Sequence, residues 1–133
     1  MAERYISPID VRQWLENGRA VEQWLSVRAD GDDRVIKWVR IHRERRGGYG
    51  TTLFEIYDQG NESFIDIYEF QSYDPDEPYG LMKTFDDWES ALAHAVTELG
   101  ANPERFVSDG VIQDEYKDFI TREGILPANE AEE

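Results

Sequence analysis

Between residues 20 and 73 apolar side chains come in four short runs, each cut off by turn-forming residues. AVEQWLSVRA (20–29) stops at DGDD, RVIKWVRIHRER (34–45) at RGGYG and TTLFEIYD (51–58) at QGN. ESFIDIYEFQSY (62–73) runs into a loop with two prolines. Richness in β-branched and aromatic residues, with Gly, Asp and Asn between the runs, predicts four strands. The linkers are short, so consecutive strands pair as an antiparallel meander. Alternation is imperfect. In the second run Val35, Val39 and Ile41 share one face, with Ile36 and Trp38 on the other. In the fourth, Ile65 and Ile67 oppose Phe64, Tyr68 and Phe70. Both sheet faces are therefore expected to be covered in part, one by helices and the other less completely.

Outside this region the period becomes that of a helix. Ser7 is an N-cap candidate, Pro8 takes the first helical position, and Ile9, Val11, Trp14 and Leu15 form an apolar side that Gly18 closes. Phe85, Trp88, Leu92, Ala95, Val96 and Leu99 follow an i, i+3, i+4 rhythm, with Thr84 as the expected cap and Gly100 as the stop. A last helix is predicted from about Asp109 to Glu123, with Ile112, Tyr116, Phe119 and Ile120 inward and Gly124 ending it. The sum is an α+β two-layer sandwich, α-β-β-β-β-α-α, with the helices on one face of a four-stranded meander. Residues 1–125 form a single domain and residues 126–133 a frayed acidic tail.

Charge narrows the function classes. The chain has 133 residues and a net charge of −15, unevenly spread. Residues 1–46 carry ten Lys/Arg against eight Asp/Glu, whereas residues 47–133 carry four against twenty-one. Such a surface repels phosphate backbones, which disfavours direct duplex binding, and attracts a basic protein partner. The same acidity also fits salt adaptation or a genome rich in G and C, since arginines outnumber lysines eleven to three. No apolar run approaches the roughly 18–20 residues that span a bilayer, and the first residues lack a secretory pattern. There is no cysteine, hence no disulfide or thiolate chemistry, and a cytoplasmic location is expected.

Catalytic and metal motifs are weak. His42 lies on the strand face of Trp38 and Arg40 with no nucleophile motif beside it, and His94 falls on the polar side of its helix. DGDD (30–33) and DPDE (74–77) do not match a calcium loop, and the two histidines lack metal-ligand spacing, so no cofactor or metal is expected. HRERRGGYG (42–50) is a basic island in which Arg43, Arg45 and Arg46 form a candidate anion site. Asp114 and Asp118, one helical turn apart, match the spacing of strand phosphates. That spacing supports a second reading, a nucleic-acid mimic that occupies the basic site of a DNA- or RNA-binding protein.

DIYEFQSYDPDEPYG (66–80) holds four aromatic residues and five carboxylates without a base. Tyrosine offers rigid apolar area plus a hydroxyl, surrounding carboxylates orient a basic partner, and Pro75 and Pro78 limit the entropy lost on docking. The leading expectation is a non-enzymatic binding protein of adaptor, inhibitor or immunity type that recognises a basic protein. Its contact is drawn through Tyr68, Phe70, Tyr73, Asp74, Asp76, Glu77 and Tyr79, extended along Asp114 and Asp118. A pocket near His42 serving a small ligand or an enzyme, and a homodimer through the sheet, are the remaining alternatives.

Overall fold

The computed structural model describes residues 4–61 and 63–122. The predicted tail at 126–133 and the stop at Gly124 lie outside them. The chain begins with helix α1 (Pro8–Glu16), capped by Ser7, with Pro8 in its first turn and Gly18 at φ 82° beyond its end. Strands β1 (Val21–Asp30), β2 (Asp33–Arg43) and β3 (Tyr49–Tyr57) follow as an antiparallel meander. Strand β4 (Leu81–Phe85), helix α2 (Trp88–Leu99), strand β5 (Val107–Ser108) and helix α3 (Ile112–Arg122) complete the fold. The sheet order is β4-β3-β2-β1-β5, and every neighbouring pair is antiparallel. No helix among the described residues is long and apolar enough to cross a membrane.

The α+β class is as the sequence implies, but among the described residues the sheet has five strands, and the fourth is not the one expected. The described residues of ESFIDIYEFQSY (63–73) do not form one continuous strand. Asn61 accepts from the Ser63 amide through its side chain, and Asp66 likewise accepts from Tyr68, which bends the chain into a 3-10 turn at Ile67–Glu69. Such side-chain bonds to nearby amides compete with a sheet ladder. Only Gln71–Tyr73 run beside β3, where the Tyr57 amide donates to Gln71 O and the Tyr73 amide to Glu55 O, both at 2.9 Å. The remainder of that edge is taken by LMKTF, paired with Tyr49–Leu53. Thr84 therefore lies in β4 opposite Gly50, and the cap of α2 is Asp87, whose side chain accepts from the Ser90 amide at 2.7 Å.

A second correction concerns layering. The helices do not share one face. Val11 and Leu15 of α1 and Ala91 and Ala95 of α2 pack with Val21, Val39 and Ile41. Ile112, Tyr116, Phe119 and Ile120 of α3 pack with Ile36, Trp38 and Ile56 on the opposite side, joined by Ile67 and Phe70. A bulge breaks the alternation within β1. The register slips between Trp24 and Ser26, so that Trp24 and Val27 both reach the α3 side while Leu25 joins the other core. His94 is not free in water as expected, since its ring lies 5.3 Å from that of Phe85.

Candidate functional site

The α3-side face of the sheet is closed at one end and open at the other. On the open part, Trp38 of β2 stands directly opposite Phe54 of β3, and the rings stack at 4.1 Å and 13°. Tyr68, carried in by the 3-10 turn, meets Trp38 edge-on at 5.5 Å. Together with Pro78, Tyr79 and Arg40 these rings line a hollow of about 330 Å³. Tyr79 is 86% exposed and stands at its mouth, whereas Trp38 is 2% exposed.

The loop that carries Tyr79 is shaped by its position. It connects two segments, Gln71–Tyr73 and β4, that lie one after the other along the same edge of β3. Residues 74–80 must leave that edge and return. The Ser72 hydroxyl is within bonding distance of both Asp74 O (3.0 Å) and Glu77 O (2.9 Å), and the Asp76 amide donates to the Asp74 carboxylate at 2.9 Å. Gly80 closes the excursion at φ 84°, and a Cβ there would lie 2.8 Å from Leu53 O. Glycine is required on both counts.

Beside the hollow lies a buried carboxylate. Glu22 of β1 is fully buried and accepts from the Tyr68 hydroxyl at 2.6 Å, from Arg40 Nη1 at 2.7 Å and from the Gly110 amide at 3.3 Å. Arg40 also donates to Asp109 at 3.1 Å, and the Gly110 amide donates to the Tyr68 oxygen at 3.0 Å. Burial holds the Glu22 carboxyl above its ordinary pKa, against the lowering effect of these donors. The Tyr68 phenol is raised by burial first and by the adjacent carboxylate second. The network fixes the 3-10 turn and the start of α3 to the sheet, and so sets the wall of the hollow.

Of the residues singled out from sequence, Tyr68 and Tyr79 face this hollow, and Phe70 lies beneath it, 5% exposed against Tyr116. Tyr73 is half-buried beside Tyr57, with the Arg28 guanidinium 4.9 Å over its ring. Asp74 and Asp76 are exposed and Glu77 half-buried, all on the Tyr79 loop. Asp114 is exposed on α3, while Asp118 is bound by Arg4 at 2.6 Å, which also takes Glu115 at 2.7 Å. Glu115 and Asp118 thus share one cation, whose own pKa they raise. Arg43 donates to Glu16 O at the end of α1, and Arg45 and Arg46 are exposed in the β2–β3 turn. Sequence reasoning missed Trp38, Phe54, Arg40 and Glu22 as parts of one site. The placement of Trp38 off the α1–α2 face was the available signal; the register that sets Phe54 against it was not.

His42 pairs through Nε2 with Glu44, and its Nδ1 is buried without a partner. No group of three or more His, Cys, Asp or Glu side chains able to hold a metal ion converges among the described residues. A larger, more polar groove of about 460 Å³ lies between Tyr5, Trp24 and α3, and there Arg105 sits 4.3 Å over the Tyr5 ring. Comparison with protein-family models, curated proteins and solved structures found no match to this chain.

Proposed function

We propose that this chain is a non-enzymatic binding protein that recognises a basic protein partner through the ring-lined hollow and the acidic loop at its mouth. The observation that carries the reading is Tyr79. A tyrosine 86% exposed, on a loop held by internal hydrogen bonds and flanked by Asp74, Asp76 and Glu77, gives up little on folding and has much apolar area left to bury. Trp38 and Phe54 supply a rigid floor, and the prolines of the loop limit what docking costs in entropy. The carboxylates on the loop have no base among them, so their field favours a cationic surface and hastens encounter with it. A cytoplasmic adaptor, inhibitor or immunity-type protein would use such a surface in the same way.

The test is capture from the native host with the wild-type chain, with Tyr79→Ala and with Asp74→Asn/Asp76→Asn. The expected result is a basic protein that both variants lose and that about 0.5 M salt elutes. Capture that neither substitution nor salt weakens would rule the surface out.

A further inference from the structure

We propose that the hollow takes a proline-bearing segment in the polyproline II conformation, with an arginine or lysine beside the prolines facing the acidic loop. This rests on the basic-partner reading and adds to it the backbone form of the ligand. Most polar side-chain groups of the hollow are already engaged. Arg40 is engaged by Glu22 and Asp109. The Tyr68 hydroxyl donates to Glu22 and accepts from Gly110, and the buried carboxylate itself takes three donors. Among the lining side chains this leaves only the Tyr79 hydroxyl, at the rim, and the Trp38 indole N–H, which is buried with no acceptor.

The side chains of the hollow therefore offer almost nothing with which to accept a hydrogen bond. An ordinary extended peptide would bring backbone N–H groups into it and leave them unpaired, and each such group costs as much as a lost hydrogen bond or more. A lysine or arginine head seated inside would meet the same lack of acceptors. Proline has no N–H. A polyproline II run presents carbonyls outward and makes no internal bonds, so it can enter a site that offers rings, with only the Tyr79 hydroxyl at its rim, and lose little. Its conformation is preformed, and its rings pack on aromatic walls such as those of Tyr68, Tyr79 and Phe54. A basic residue next to the prolines then stays outside, in water, against Asp74, Asp76 and Glu77. Charge complementarity thus selects the flank, and the missing acceptors select the core of the ligand.

The full chain, labelled with nitrogen-15, is titrated with three synthetic peptides of equal length built from Pro-Pro-Arg, Ala-Ala-Arg and Pro-Pro-Gln repeats. Affinity is read by calorimetry and the site by the assigned indole N–H resonance of Trp38, with Trp14 and Trp88 on the opposite face as controls. The Pro-Pro-Arg peptide is expected to move Trp38 alone of these three, and Tyr79→Ala to weaken it about tenfold or more. The Ala-Ala-Arg peptide, of equal charge, should bind about tenfold more weakly or worse. If it binds as tightly as the proline peptide, the polyproline inference is overturned while the basic-partner reading stands. If Pro-Pro-Gln binds as tightly as Pro-Pro-Arg, it is the basic-partner reading that falls. Binding of Pro-Pro-Arg that moves Trp14 or Trp88 and not Trp38, or no binding of any peptide, overturns the proposal, and the capture experiment then decides the reading beneath it.

Discussion

Removing one oxygen atom from Tyr68 tests whether the wall of the hollow is held by the buried carboxylate. In Tyr68→Phe the ring keeps its edge-on contact with Trp38, and only the hydroxyl is lost. Glu22 Oε1 then loses its 2.6 Å donor and keeps the Gly110 amide at 3.3 Å, while Arg40 still holds Oε2. A hydrogen bond to a charged group contributes about 1.5–3 kcal/mol. Glu22 is fully buried, but its carboxylate keeps two other donors. The expected cost is therefore toward the low end, about 2 kcal/mol at pH 7, or roughly 6–8 °C in melting temperature for a chain of this size.

The cost should also depend on pH, with a defined sign. Burial raises the Glu22 carboxyl above its ordinary value of 4.5, so the folded chain binds that proton more readily than the unfolded one. The stability linked to this proton is complete below the ordinary value and is lost as pH rises through the folded value. The Tyr68 donor supports the ionised form, so its removal costs most at neutral pH and about 1 kcal/mol or less near pH 4. Urea denaturation of both chains from pH 4 to 8, with equal slopes in denaturant, measures this. A loss below about 0.5 kcal/mol at pH 7, or a loss that does not change with pH, would mean that the buried carboxylate does not hold this wall.

Three further outcomes follow from the packing and the caps. Gly60→Ala would place a Cβ 2.4 Å from Phe64 O, 2.5 Å from Phe70 Cζ and 2.6 Å from the Tyr116 hydroxyl, so a destabilisation of about 3 kcal/mol in urea is expected. A change within about 0.5 kcal/mol would mean that the 58–70 segment yields easily. Ile120→Ala empties a fully buried position in the α3-side core and should cost about 3–4 kcal/mol by the same assay; under about 1 would show that α3 is loosely held. Asp87, the cap of α2, has its pKa lowered by the bonds it accepts from Ser90, so its contribution is present above the ordinary carboxylate value and fades as acid protonates it. Asp87→Ala should therefore lower the melting temperature at pH 7 and much less at pH 3, and equal shifts at both would contradict the cap.

The local pattern determined the three helices and the first three strands. Ser7 and Pro8 begin α1, Gly100 ends α2 in the left-handed region, and the four inward residues named for α3 are its buried ones. These features depend on neighbours within a few residues, and capping and period express them directly. The fate of ESFIDIYEFQSY could not be read in that way. Its rings suit a strand as well as a cover, and β3 has one free edge, for which this segment and LMKTF compete. LMKTF holds most of that edge. Ile67 and Phe70 are needed over Trp38 and Ile56, on a face whose exposure the local sequence does not reveal. Tertiary packing decided the contest because burying those side chains on the second face outweighs a few ladder hydrogen bonds, whose net worth is small once water is counted. The hollow, the buried Glu22 and the exposed Tyr79 all follow from that choice.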